Sequence, residues 1–312
     1  MKKLRLSILA LLSAVGLLFT LSGCGASAKG YNVNVVRYPD FWETPDSYHT
    51  LGVASTVNDI DPGRYVKATN KQILQGLKTN GTYQVTDLTN VKETDEAITS
   101  AAGKTELVLV PTIVSIDEDD TERKSEDANG NPITLLYRYG QVEIQASLYD
   151  PNTKDEVVNK SYKDQCSSEG FEKSELKSLA SLKQCAVEQA TNQMINDLVV
   201  TNQSIYFNDC IVLSTNGKIS TEFTVNDTIK VGLKLSPKAS FNAFTLAIQD
   251  QDKSQTILSD EFTWTPEGGI VFNYSAKEIF EKSGGIEKFK AVILTNGKLA
   301  YMQEFKIEKP KE

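Results

Sequence analysis

At 312 residues, with 40% hydrophobic and 24% charged side chains, the chain has an ordinary globular composition and length enough for two modest cores. Its formal charge of −8 becomes −11 once Lys2, Lys3 and Arg5 leave with residues 1–23, which hold no acid. A body this acidic argues against nucleic acid or anionic lipid headgroups as the main ligand, because both need clustered Lys and Arg.

The three basic residues precede an apolar run from Leu6 to Leu21, and Leu21-Ser22-Gly23-Cys24 follows at once. Residues 1–23 therefore read as a secretory signal peptide. The run is too short for a retained span, which needs roughly 20 apolar residues. The tetrapeptide resembles a bacterial lipobox. That resemblance implies cleavage before Cys24, diacylation of its thiol and acylation of the new amino terminus by palmitate-type chains. An ordinary signal peptide whose cysteine falls near the cut is the alternative. Two or more acyl chains give a stable membrane anchor. Gly25, not an aspartate, comes next; in a Gram-negative cell this resembles the sorting pattern of lipoproteins placed on the outer membrane facing the periplasm.

Residues 24–50 read as a lipidated tether and aromatic arm. Tyr31, Val33 and Val35 alternate as in a strand, and Tyr38, Phe41, Trp42 and Tyr48 follow among prolines. Such an arm either latches along its domain or offers Phe41 and Trp42 as anchors to a partner. His49, the single histidine, lies in a turn-like segment.

Residues 51–203 alternate strands and helices. "LGVAS" is a buried strand, 63–79 a helix with Val66, Ile73, Leu74 and Leu77 on one face, and "YQVTDL" a second strand. A short helix opens at Thr94 and stops at Gly103. "ELVLVPTIVSI" is a central strand in which Pro111 demands a bulge or a break in pairing. "GQVEIQASLYD" and "VVNKSYKDQ" form a strand pair, and a long amphipathic helix through Leu176, Leu179, Val187, Ala190, Met194 and Leu198 closes the domain. Between the long strands, 115–132 reads as a solvated acidic loop. Its Asp117, Glu118, Asp119 and Asp120 are candidates for a surface that docks a basic partner, and neither register of an EF-hand fits.

The layout of this domain, with the phrases "LQGLKTNGTYQVTDL", "TELVLVPTIVSI" and "ASLYDPNTKDEVV", resembles bacterial envelope lipoproteins related to the curli-secretion lipoprotein, to the penicillin-binding-protein activators and to the amino-terminal domain of the Tol-system propeller protein. The resemblance covers about half of the chain. It implies an α+β fold, a mixed sheet with flanking helices, that assembles with or regulates envelope machinery without catalysis.

Residues 204–312 carry seven or eight short strands separated by turn signals, the pattern of an all-β immunoglobulin-like sandwich. "LSTNGKIS" and "ILTNGKLA" each place Asn-Gly, the favoured two-residue hairpin turn, between strand-like runs.

Cys166, Cys185 and Cys210 remain after Cys24, in an export compartment that permits disulfides. Cys166 and Cys185 either close a short loop or pack, with Cys210, as buried thiols. No cysteine spacing fits zinc, and no phosphate-cradling glycine loop is present. A Ser-His-Asp site would have to use His49, and no nucleophile elbow accompanies it. Ser174 and Lys177 match Ser-x-x-Lys, but the companion Lys-Thr-Gly is missing, so Ser174 reads as a helix cap. The expectation is a lipid-anchored, non-enzymatic envelope protein without cofactor or metal. It has its α+β domain nearest the membrane and acts as adapter or accessory subunit for a protein partner. A homo-oligomeric secretion pore and a regulator of cell-wall synthesis are the alternatives.

Overall fold

The computed structural model describes residues 27–61, 63–91, 93–126, 128–265 and 269–309, so Cys24 and the signal segment lie outside the described residues. The chain divides into two units. Arg37–Thr201 forms one; Asn202–Glu312, joined by the residues up to Val36, forms the other. The N-terminal residues thus belong with the C-terminal unit, because Ala28–Gly30 (β1) and Asn32–Arg37 (β2) are strands of that unit and not a free tether.

In the Arg37–Thr201 unit the elements run β3 (Thr50–Ala54), α1 (Val66–Asn80), β4 (Gln84–Leu88), α2 (Thr94–Ala101), β5 (Leu107–Glu126), β6 (Pro132–Tyr149), β7 (Glu156–Gly170) and α3 (Leu179–Leu198). They build one mixed sheet in the order β4-β3-β5-β6-β7, with β4, β3 and β5 parallel and the other pairs antiparallel. β3 is buried and free of polar side chains from Leu51 to Ala54, as a strand covered on both faces must be. Ala97, Ile98 and Ala101 of α2 pack on Ala54, Val108 and Val110. α1 buries Ile73 and Leu77, one turn apart, and ends at Gly81, whose φ of 78° suits a glycine and whose N–H returns to Leu77 O at 3.2 Å.

The bulge invited by Pro111 falls just after it, between Ile113 and Ser115. β5 does not stop there. The segment read as an acidic loop continues as strand to Glu126, pairing Glu118 with Gly140, Asp120 with Arg138 and Glu126 with Pro132. Charged side chains resist burial, not extended backbone, and here both faces of β5 reach solvent while β6 supplies aromatic and aliphatic cross-strand neighbours.

The second unit comprises β8 (Thr201–Tyr206), β9 (Ile211–Thr215), β10 (Lys218–Ile219), β11 (Glu222–Thr224), β12 (Thr228–Leu233), β13 (Ala243–Asp250), β14 (Thr256–Thr263), β15 (Ile270–Ser275), α4 (Ala276–Lys282), β16 (Lys288–Thr295) and β17 (Lys298–Glu308). One sheet runs β1-β17-β16-β13-β14, with β11 added in parallel to β17; a second runs β10-β9-β12-β15, and β2 pairs with β8. Both Asn-Gly turns form: Asn216 and Gly217, like Asn296 and Gly297, have positive φ. This differs from the antiparallel sandwich expected of 204–312 alone. β17 leaves an edge that β1 and β11 fill end to end, and a helix joins β15 to β16. The core draws on both sheets, with Phe223, Phe244, Phe289 and Phe305 nearly inaccessible, and Val33 and Val35 point into it beside Ile205 and Phe207. Burying each such side chain contributes roughly 1.5–3 kcal/mol.

Val35→Asp tests this reassignment. In a Trp42→Phe background, fluorescence of Trp264, which is buried in the two-sheet core, should report unfolding at clearly lower urea for the variant. An unchanged midpoint would mean that residues 28–36 are a detached tether.

Candidate functional site

Three transverse rows of the long sheet hold the chain that crosses over it. Glu118, Gly140 and Cys166 stand side by side on β5, β6 and β7. Glu118 forms an ion pair with Lys183. Gly140 admits the helix backbone: a Cβ there would stand 2.7 Å from Lys183 N and 3.0 Å from the Leu182 carbonyl carbon. Cys166 is disulfide-bonded to Cys185, with Cα atoms 6.0 Å apart. In the next row, Arg138 clasps both oxygens of Asp120 at 2.6 and 2.7 Å and donates to Lys177 O at 3.2 Å. Ser168, beside it, accepts from Lys177 N at 3.1 Å. Arg138's hydrogen bond holds the Asp120 carboxyl below its usual range. The third row ends at Gly170, where the backbone N–H groups of Phe171 and Glu172 donate to Glu175 Oε2 at 2.6 and 3.2 Å.

These rows account for half of the acidic candidates. Glu118 and Asp120 are spent in internal ion pairs, whereas Asp117 and Asp119, one residue out of phase, belong to the opposite face of β5. The four acids therefore do not form one patch. Among the described residues, no three His, Cys, Asp or Glu side chains converge on a metal site.

The aromatic arm is a latch. Trp42 is 7% exposed, edge-on to Tyr83 at 6.0 Å and Tyr48 at 6.4 Å and tilted against Tyr38 at 5.9 Å, so it cannot anchor a partner. Phe41 is half-buried against Tyr48. Glu106 closes the arm by accepting the backbone N–H groups of His49 and Thr50 at 2.6 and 2.8 Å. Burial raises the Glu106 pKa, but these bonds outweigh it and leave the carboxyl below its usual range. His49 is exposed. Ser174 sits in a single 3-10 turn and donates to Glu172, while the true N-cap of α3 is Ser178, which accepts from Ser181 N at 3.2 Å. Lys177 precedes the helix, so no Ser-x-x-Lys helix geometry forms. The thiol of Cys210 is buried, and desolvation reinforced by Asp209 pushes its pKa up to about 12, which leaves it unreactive.

What stays accessible is the outer part of the hairpin. β7 ends opposite Leu136, so the ladder of 123–126 with 132–135 runs on as two strands only. On the face away from α3, β6 presents Ile133, Leu135, Tyr137 and Tyr139 in alternation, each at least partly accessible except Tyr137. Arg123 lies over the Tyr137 ring at 3.5 Å, and Gln165 donates to its hydroxyl at 2.7 Å. Phe171, at the end of β7, is 64% exposed. From Val114 to Glu126, β5 has no second neighbour among the described residues, which leaves an open sheet edge. The period-two apolar pattern of "ITLLYRY" at 133–139 signals this face in the sequence; starting the strand at Gly140 conceals it.

No protein-family model matches the sequence, and no curated protein matches it either. Among solved structures, the chain is similar to the PelC dodecamer from Paraburkholderia phytofirmans (12% identity, 51% of this chain and 94% of that one, TM-score 0.29). It is also similar to lipoprotein GNA1162 from Neisseria meningitidis (16%, 47% and 99%, TM-score 0.28) and to a minor lipoprotein from Acinetobacter baumannii (9%, 48% and 92%, TM-score 0.27). Likenesses at these scores carry no argument about function.

The disulfide closes a loop with a sequence separation of 19. Replacing Cys166 and Cys185 by Ser should lower the unfolding free energy by about 3 kcal/mol in urea titrations. Equal stability of the double variant would show that the ion pairs and the close contact at Gly140 suffice to hold α3.

Proposed function

We propose that this chain is a lipid-anchored, non-enzymatic envelope lipoprotein that acts as an adapter or accessory subunit by presenting the outer β5–β6 hairpin to a protein partner. One observation carries the reading: an apolar stripe, Ile133, Leu135 and Tyr139, stands beside an unpaired sheet edge on the face of the hairpin turned away from α3. Sheet edges of this kind accept an added strand, with backbone bonds giving affinity and alternate side chains giving specificity. The lipobox resemblance at Cys24 supplies the anchor, and the envelope resemblance of the domain agrees with it. Only Gly25, Ala26 and Ser27 separate Cys24 from β1, a reach of at most about 11 Å. The two-sheet unit, read here as immunoglobulin-like, would then be tethered directly to the membrane. So short a link does not suit a regulator that must reach through a cell wall.

A homo-oligomeric pore fares less well. At 20 and 18 residues, β5 and β6 exceed the roughly 9–11 residues that a membrane strand needs. Yet the outer half of β5 is charged on both faces, with Glu118, Asp120, Glu122, Lys124 and Glu126 on one and Asp117, Asp119 and Arg123 on the other. Neither face can meet lipid. Among the described residues no helix is long and apolar enough to cross a membrane, which says nothing of strands.

A photo-crosslinking residue placed at Leu135 or Phe171 of the full-length protein in cells should capture one heterologous protein reproducibly. The same residue at exposed Val271 of the two-sheet unit should not. Capture only of further copies of this chain would favour the pore, and no capture from either hairpin position would refute presentation by this face.

A further inference from the structure

A groove in the Arg37–Thr201 unit belongs neither to the hairpin nor to the α3 crossing. It runs along α1 between that helix, Ser55 after β3 and the turn at Thr89 and Asn90 after β4, and has a volume of about 750 Å³. Ligand sites are commonly of this size. Lys67, Lys71 and Lys78 line it, and no Asp or Glu does. Their spacing places the three ammonium groups on one face of α1, spread over about 16 Å at 1.5 Å per residue. None of the three is in an ion pair among the described residues. Asp87, which feels Lys78, is already held by the amide and hydroxyl of Thr89 at 2.9 and 2.7 Å.

Lys67 and Lys71 are like charges one turn apart, a repulsion that a bound anion relieves, and the groove is basic in a chain whose formal charge is −8. Its floor is built rigidly. Asn70, 9% exposed, accepts from the amide and hydroxyl of Thr56 at 2.8 and 2.6 Å and donates to Ser55 at 3.3 Å, pinning the β3 loop to the helix.

We propose that this groove binds a short, soluble, linear oligoanion bearing phosphate groups. Lysine ammonium groups bind phosphate as point charges and make no demand for the planar, paired geometry that arginine offers to carboxylates. In a chain of formal charge −8, a polyanion longer than the groove meets net repulsion beyond it, which limits the ligand to about the groove's own length. Thr79 and Asn90 add hydrogen-bonding groups along its walls. This site stands or falls independently of the adapter reading.

The test is calorimetric titration of tripolyphosphate into the full-length protein in neutral detergent at low ionic strength. Saturable one-to-one binding that weakens with salt is expected, with orthophosphate weaker by about tenfold or more. Lys67→Gln/Lys71→Gln/Lys78→Gln should lose at least about tenfold in affinity with unchanged thermal unfolding. Lys277→Gln/Lys282→Gln on α4 should bind as the parent does. Should the triple variant unfold early, Lys71→Gln alone should still weaken binding measurably. No saturable heat, equal binding by the triple variant, or orthophosphate binding as tightly as tripolyphosphate would overturn the proposal. So would vesicles containing phosphatidate binding through the same lysines when tripolyphosphate does not, since the ligand would then be a lipid headgroup.

Discussion

The close approach of α3 to Gly140 sets the form of the whole Arg37–Thr201 unit. A strand residue with any side chain would push the helix backbone away, since a Cβ at this position stands 2.7 Å from Lys183 N. With glycine in the middle, the neighbours on each side can reach the helix as well: Glu118 by an ion pair and Cys166 by a covalent bond. The three contributions are unequal. The ion pair is half exposed on its acidic side, where such pairs are worth at most about 1 kcal/mol, whereas a disulfide closing a loop of this length contributes about 3 kcal/mol. The glycine makes the contact possible, the disulfide fixes it and the ion pair orients it.

From that crossing follows the division of labour along β5 and β6. One parity of each strand faces α3, and the other faces away, so neighbouring residues have different fates. Asp120 is clasped by Arg138 while Asp119 is not, and Leu136 stands in the α3-facing rows while Leu135 and Tyr137 stand on the outer face. Beyond Gly170 the helix has no further hold, and the hairpin continues as two strands with an open edge. Charges along such an edge oppose indiscriminate pairing with other sheets. An edge that is charged yet flanked by an apolar stripe is fit for a chosen partner and poor for self-association. The lysines of α1 make the complementary case, since they line a groove in an acidic body and are in no ion pair among the described residues.

Much of the architecture is legible in the residues. Ile73 and Leu77 at helical spacing, the apolar run around Val108, the Asn-Gly turns at 216 and 296 and the alternation of Val142, Ile144, Ala146 and Leu148 all mark elements that form. Three features are not legible, for physical reasons. Val33 and Val35 read as a strand, but nothing local says which strand they need; their partner β8 begins only at Thr201. The run Asp117–Asp120 is charged enough to suggest a loop, because charge signals solvent and not conformation. Ser174 offers a plausible cap four residues before Ser178, and only the rows beneath the crossing, which seat Lys177 on Ser168, choose between them. For Trp42 the residues fit a latch and an anchor alike, and it is Tyr83, an aromatic neighbour from a different part of the chain, that packs it as a latch.

Hydrogen exchange of the full-length protein, compared between native membranes and purified detergent solution, tests the central claim that the outer hairpin is a docking surface. In native membranes, amides of 123–126 and 132–135 should exchange more slowly than in the purified protein, while those beneath α3, around Gly140 and Cys166, should be protected equally in both. Equal exchange of the outer hairpin in the two settings would contradict the account.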